Sequence, residues 1–320
     1  MVQLSTTRTM EQMNKQDKIL LLGHSGLGGG AMYRRLVEEG FENIMCVSKE
    51  QGDLTDDNFA RLAFEVRPDY VFLFAARVGG ILANSSYPVE FLEQNMRIEL
   101  NVMREAHRKG VKKLLFIGTA CAYPKFAPVP ISESSLLTGV MEPTNLPYAL
   151  AKISGVVLCD AYRKQYGRDF ISCMPTNLYG VGDTYHLSDS HVVPGMIMKM
   201  HAAKKSGEAV VLWGTGTPRR EFLYAADLAS ACLLLMKEYS DPGPVNIGSL
   251  GTISMKHLAT CVAKAVGFSG DIIWDNTRPD GTPNREIDST QISKLGWKPS
   301  MPLERGLQQA YRDYLDRYES

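Results

Sequence analysis

The chain has 320 residues, enough for two compact units at roughly 150 residues per domain. Its 44% hydrophobic and 22% charged content is that of a folded globular protein and excludes a disordered or collagen-like one. Lys plus Arg and Asp plus Glu stand at 35 each, so no net field recruits nucleic acid or an anionic membrane, and neither partner is expected.

The opening tail, residues 1–17, carries no hydrophobic period and is expected to be a flexible extension, with Met13 an alternative start. It lacks the apolar core of a signal peptide, and no stretch of the chain reaches the ~18 apolar residues of a membrane span. Cys46, Cys121, Cys159, Cys173, Cys232 and Cys261 are scattered without a CxxC pair, mostly among apolar neighbours. Reduced thiols in a cytoplasmic protein are used in this way.

From Lys18, short apolar runs of the kind that buried parallel strands give alternate with stretches of helical period. The first strand, Ile19–Leu22, leads at once into Gly23-His24-Ser25-Gly26-Leu27-Gly28-Gly29. Glycines there let the backbone turn sharply and approach a pyrophosphate, and the helix that follows, over Ala31–Glu39, offers it unpaired N–H groups and a partial positive charge. The second strand, Ile44–Val47, runs into Ser48-Lys49. A hydroxyl and a cation stand where an NAD site usually carries an acid for the ribose 2′-hydroxyl, so NADP is expected over NAD.

A helix over Asn58–Val66, a strand at Tyr70–Ala75, a long helix over Phe91–Arg108, a strand at Lys113–Gly118, a helix over Tyr148–Tyr166 and a strand at Phe170–Met174 continue the alternation. It implies an α/β fold with a Rossmann-type, doubly wound parallel sheet. After Tyr179, glycines and prolines at irregular spacing break the pattern. A helix over Asp227–Lys237, a strand at Val245–Gly248, the segment Asp275–Gly281 and an amphipathic tail, Leu303–Tyr318, follow. The division expected is a nucleotide-binding domain over residues 18–183, to which 221–250 return, and a smaller substrate-binding lobe built from 184–220 and 251–320.

Thr119 follows the fourth strand, and Tyr148 and Lys152 share one face of the next long helix at i and i+4. An ammonium beside a phenol favours the phenolate, bringing a group with an ordinary pKa of about 10 toward use as an acid or base near neutral pH. Alone, such a pair reads as surface helix neighbours. With Thr119 after the fourth strand and the GxxGxxG spacing of Gly23, Gly26 and Gly29 after the first, the chain resembles the extended short-chain dehydrogenase/reductase superfamily. The resemblance implies a catalytic triad of Thr119, Tyr148 and Lys152. It also implies cofactor contacts at Ser25, Leu27, Gly28, Asp53, Leu54, Ala75, Ala76, Arg77, Ile117, Gly118, Pro175, Thr176, Asn177, Leu178 and His191, besides Tyr148 and Lys152, with Asp53-Leu54 at the adenine ring.

Longer segments narrow it: Ala75-Ala76-Arg77-Val78-Gly79-Gly80, Ile117-Gly118-Thr119-Ala120-Cys121-Ala122-Tyr123-Pro124, Glu142-Pro143-Thr144-Asn145, Met174-Pro175-Thr176-Asn177-Leu178-Tyr179-Gly180, Ser188-Asp189-Ser190-His191-Val192-Val193-Pro194 and Trp213-Gly214-Thr215-Gly216-Thr217-Pro218-Arg219-Arg220-Glu221-Phe222. They resemble the GDP-L-fucose synthase family, whose members act on GDP-4-keto-6-deoxy-D-mannose as 3,5-epimerases and NADPH-dependent 4-reductases. Sugar nucleotide 4,6-dehydratases place Asp-Glu where this chain has Ala120-Cys121, so it lacks the groups for that elimination.

The resemblance implies Cys121 and His191 as the acid/base pair of epimerisation, and Asn177, Lys199, Trp213, Arg220 and Asp280 as substrate contacts. It also implies a homodimer through the two long helices; no metal is expected. The chemistry is consistent with that pair, because a C4 ketone acidifies the hydrogens on both C3 and C5. A thiol of pKa about 8.5 and an imidazole of about 6.5 both reach neutral pH. One departure is Ser25, where some members carry Arg, which leaves the 2′-phosphate to Lys49 or Arg77. The Gly28-Gly29-Gly30 run leaves the start of the first helix open. The alternatives are a nucleotide-sugar 4-epimerase, which does not explain the His191 segment, and an NADP-sensing protein without turnover, against which the intact triad weighs.

Overall fold

The structure, a computed structural model, describes residues 13–186, 190–278 and 280–319. Residues 1–12 of the opening tail and Ser188-Asp189 of the segment before His191 lie outside the described residues. Five parallel strands follow one another through the first half: β1 (Ile19–Leu22), β2 (Ile44–Val47), β3 (Tyr70–Leu73), β4 (Lys113–Ile117) and β5 (Asp169–Pro175). Between them run α1 (Leu27–Glu38), α2 (Asp57–Ala63), α3 (Ile81–Ser86), α4 (Pro88–Arg108) and α5 (Leu146–Tyr166). After β6 (Asn177–Tyr179), α6 (Val192–Ser206), β7 (Val210–Trp213), β8 (Arg219–Arg220), β9 (Phe222–Tyr224) and α7 (Ala225–Glu238), the strand β10 (Pro244–Ile247) returns to pair with β5. The sheet order is β10-β5-β4-β3-β1-β2.

Both faces of this sheet are covered, which is why its strands read as unbroken apolar runs. Ile19, Leu21, Phe72 and Leu115 pack with Met32 and Leu36 of α1 and Leu228 and Leu235 of α7. Their neighbours Leu20, Leu22, Val71 and Leu114 face Val102 and Ala106 of α4 and Ile153 and Val156 of α5 on the other side. The alternation is the period-two geometry of a strand. Helix ends follow local chemistry: Asp56 caps α2 by accepting from Asn58 and Phe59 N–H, prolines open α4 and α5, and Gly167 closes α5 at φ 63°.

The glycine run is itself helical. The first helix begins at Leu27 and not at Ala31, with extended Gly26 as its cap and Gly30 N–H donating to Gly26 O at 2.7 Å. The second helix stops at Ala63, short of Val66, in a turn that ends with Arg67 at φ 50°. The strands β3 and β4 also stop early, so Phe74–Ala75 and Gly118 belong to the loops at the carboxyl edge of the sheet.

The opening tail needs a correction. Residues 13–17 are tied to the fold: Met13 is 8% exposed within the core, Lys15 O accepts from Glu42 N–H at 3.2 Å, and Asn43 donates to Gln16 O at 2.8 Å.

The smaller part is made of β7 with β12 (Ile272–Asp275), and of β8 between β11 (Ile253–Ser254) and β13 (Asn284–Arg285). Around them lie α6, α8 (Met255–Val266) and α10 (Leu303–Tyr318), whereas α9 (Thr290–Lys294), expected in the lobe, buries Ile292 in the core of the large sheet with Val245 and Ile247 of β10. Ile197, Met200, Leu212, Leu258, Val262, Leu307 and Tyr314 form its separate core. No helix of the described residues is long and apolar enough to cross a membrane.

Candidate active site

The carboxyl edge of the parallel sheet collects most of the expected residues, as it does in open α/β sheets generally. At β1 the chain turns through Gly23, whose φ of 92° favours glycine and where a Cβ would come within 2.5 Å of Ala75 N. A Cβ at Gly29 would land on the Gly23 carbonyl. Strand and helix therefore touch backbone to backbone across the loop. Helix α1 has no side-chain cap and no acid in its first turn, and His24 Nδ1 in the same loop is buried without a partner. N–H groups left without a side-chain acceptor, at the positive end of a helix, fit the pyrophosphate of a dinucleotide.

Beyond β2, Lys49 is exposed. The Ser48 N–H donates to Gln51 Oε1 at 2.8 Å, and a hydrogen bond from the Ser48 side chain is the largest cause holding the Glu50 carboxyl below its ordinary range. Asp53 accepts from Thr55 N–H at 2.9 Å, and Leu54 is buried, its carbonyl held by Asn101 of α4 at 3.0 Å. Arg77 lies elsewhere. Its N–H donates to Asn95 Oδ1 at 2.8 Å, and its guanidinium lies 5.5 Å from the Tyr87 ring and 5.3 Å from that of Phe91. Phe91 also meets Tyr148 edge-on at 6.1 Å, so Arg77 stands on the Tyr148 side of the edge.

After β4, Gly118 lets the chain pass Met174, whose sulfur would be 2.5 Å from a Cβ there. Thr119 Oγ1 accepts from Cys121 N–H at 3.2 Å and caps the short turn Ala120–Ala122, which presents the half-buried Cys121 thiol. Tyr148, in the first turns of α5, has its phenol pushed up by burial, then by Cys121 and Glu99.

Lys152 departs from the expectation that its charge would draw Tyr148 toward phenolate. It is 3% exposed, donates to Ile117 O at 3.1 Å, and faces Glu99 Oε1 at 3.6 Å. Burial lowers its pKa, and Glu99 opposes that shift. Glu99 is thus the charged neighbour of Lys152, and burial is the largest influence on the Tyr148 phenol.

On the lobe side, β8 and β13 run parallel with Arg220 opposite Arg285. Burial, then Arg285, lowers the Arg220 pKa, while Cys121 and Asp280 raise it, which places these groups in one electrostatic neighbourhood. Arg285 donates to Tyr123 O at 2.7 Å, two residues beyond Cys121, and its Nε is buried without a partner. Asp280 accepts from Thr215 N–H at 2.9 Å and from the Thr215 hydroxyl at 2.6 Å. Trp213, 60% exposed, has Arg278 at 5.1 Å and Lys199 at 6.0 Å from its ring. Lys199 also donates to Val211 O at 3.1 Å.

Pro175 ends β5, Thr176 N–H donates to Ile247 O at 3.1 Å, Asn177 donates to Glu221 O at 3.0 Å, and Leu178 packs on the sheet core. His191 stands at the N-terminus of α6, exposed and without a side-chain cap to that helix, and no described contact ties it to Cys121 or Tyr148.

Three residues escaped the sequence reading. Glu99 carried a signal, being an acid within the apolar stripe Ile98, Val102, Ala106 of α4. Arg278 and Arg285 carried none beyond their charge.

A glycine cradle ahead of α1 and a Tyr/Lys helix beyond β4 define an α/β oxidoreductase of the short-chain type. The chain belongs to the NAD dependent epimerase/dehydratase family, which matches residues 19–248. It is 49% identical to GDP-L-fucose synthase 1 of Arabidopsis thaliana over 304 residues, 94% of each chain. It is 42% identical to the GDP-L-fucose synthase of Escherichia coli over 318 residues, covering 96% of this chain and 99% of that one. Among solved structures it is similar to a GDP-L-fucose synthetase from Naegleria fowleri bound to NADP, with a TM-score of 0.89, 27% identity and 97% of both chains covered.

Proposed function

We propose that this protein converts GDP-4-keto-6-deoxy-D-mannose to GDP-L-fucose, inverting C3 and C5 and then reducing C4 with NADPH. The observation that carries the reading is the Cys121 thiol, presented by the Thr119 turn within the electrostatic reach of both Tyr148 and Arg220. A carbon acid beside a ketone needs a weak base at that point and an acid on the carbonyl oxygen. Cys121 and His191 would exchange protons at C3 and C5, while Tyr148 and Thr119 hydrogen-bond the C4 oxygen, stabilise the enolate and protonate the alkoxide formed on reduction. NADPH bound over the glycine loop supplies the hydride. Removal of the ketone then ends the epimerisation.

Arg220, with Arg285 opposite it, suits the diphosphate, and Trp213 with Lys199 and Arg278 suits the nucleotide. Arg77 stands with Tyr148, so Lys49 is the better placed of the two for a 2′-phosphate. The exposed apolar side chains Val89 and Leu100 of α4 and Leu150, Val157 and Tyr166 of α5 support a homodimer through those helices. Six unpaired cysteines suit a reducing compartment, the cytoplasm.

NADPH consumption with the keto-sugar nucleotide in deuterated water tests the proposal. Stoichiometric oxidation with deuterium at C3 and C5 is expected, whereas no oxidation with the keto-sugar nucleotide, together with redox-neutral inversion of C4 in a 4-hydroxy nucleotide sugar, would assign the chain to the other enzyme class.

A further inference from the structure

We propose that Glu99 is a positioning residue of the reductase pair, fixing the Lys152 ammonium from the α4 side. This rests on the reductase reading above. Glu99 is 1% exposed and Lys152 3%, with Oε1 and Nζ 3.6 Å apart. Two buried charges at that separation hold each other in place, since either alone would be costly to bury.

The surroundings are shaped for the carboxylate. A Cβ at Gly155 would come within 2.9 Å of Glu99 Oε2 and would strike the Phe116 ring, so a glycine at this point of α5 admits both groups. The Ser154 hydroxyl lies 3.3 Å from Oε2 and 2.6 Å from Ala151 O, and its hydrogen bond to Oε2 favours the carboxylate. Oε1 has no hydrogen-bond donor within normal reach, which leaves Lys152 as its partner.

The groups facing the pair are Tyr148 and Cys159 of α5, Cys173 of β5, and from β4 the Phe116 ring and the Ile117 carbonyl. Burial pushes Glu99 up to about 7 against the pull of Lys152. Its charge therefore changes near neutral pH. As the anion it offsets the burial that lowers the Lys152 pKa, and so keeps Lys152 charged and in place on the Tyr148 helix.

Glu99→Gln imitates the neutral carboxyl. Single-turnover hydride transfer should then match the wild type near pH 6 and fall below it by at least about tenfold near pH 8, where wild-type Glu99 is charged. The inflection near pH 7 should vanish from the variant's profile. A uniform loss at all pH values, or an unchanged profile, overturns the proposal.

An independent readout needs neither cofactor nor substrate. In protein labelled with ¹³C at glutamate carboxyls, the resonance lost in Glu99→Gln should titrate near pH 7, and in Lys152→Met it should move to higher pH. An unmoved titration overturns the pairing. If Glu99→Gln does not fold, the resonance is assigned through Glu99→Asp and the Lys152→Met comparison decides. Failure of the wild type to oxidise NADPH with the keto-sugar nucleotide would remove the functional reading alone, because the carboxyl titration still tests the pair.

Discussion

In the large sheet, the candidate catalytic groups hang from backbone that regular structure has already fixed. Thr119 and Cys121 follow β4, and Lys152 is set by α5 and Ile117 O. In the lobe, Trp213, Arg220 and Asp280 stand at or beyond strands of two to four residues, with other side chains as their neighbours. Thr215 clasps Asp280, Arg220 faces Arg285 across two strands, and Trp213 sits between two cations. A site held by backbone tolerates the loss of a side chain and fails in chemistry. A site held by side chains loses shape with each tie removed, and so fails in binding.

Tyr148→Phe tests the first half of this contrast with the largest expected effect. The phenolic oxygen is removed from a helix that otherwise still packs, so NADPH binding should remain while reduction falls about 10²- to 10⁴-fold. Fluorescence titration and single-turnover oxidation measure the two separately. Near-normal turnover would make the Tyr/Lys pair structural.

Cys121→Ser should come next, slowing deuterium incorporation at one or both of C3 and C5 by about 10²-fold while oxidation of NADPH continues, since a hydroxyl is a far weaker base. The product should include 4-reduced sugar that was not fully inverted. Normal product stereochemistry with full labelling would leave the thiol without a role.

For the lobe, Asp280→Ala frees the Thr215 loop and removes a charged acceptor of two hydrogen bonds, so KM for the sugar nucleotide should rise about tenfold or more with kcat little changed. A fall confined to kcat would contradict a lobe that works by binding.

The same contrast explains what the sequence made legible. Strands β1 to β5 are apolar runs covered on both faces, and the glycine loop and Tyr/Lys helix are contiguous motifs, so local pattern found them. Strands β8, β11 and β13 have two residues each and no period to read. Arg285 gains meaning only through its register with Arg220, a pairing that no local spacing encodes. Sequence also placed Lys152 beside Tyr148 correctly on one helix face, yet the partner that takes its charge is Glu99, on another helix.

The two regions meet at Glu221, where the smallest effect is expected. It is 0% exposed: Oε2 accepts from Ile287 N–H at 3.0 Å, Oε1 has no partner, and its backbone carbonyl holds Asn177. Burial pushes its carboxyl from 4.5 up to about 7. The native state therefore binds a proton that the unfolded chain releases between those values, so this group's contribution is present below pH 4.5 and is lost as pH rises through 7. A shift of this size is worth at most about 3 kcal/mol. Glu221→Gln keeps an acceptor for Ile287 and removes the titration. Its stability relative to the wild type should therefore climb between pH 5 and pH 8, by a few kcal/mol at most, as measured by urea unfolding at each pH. A parallel pair of curves would mean that Glu221 is ionised throughout with a partner of its own, and that the junction between sheet and lobe is not sensitive to pH at this residue.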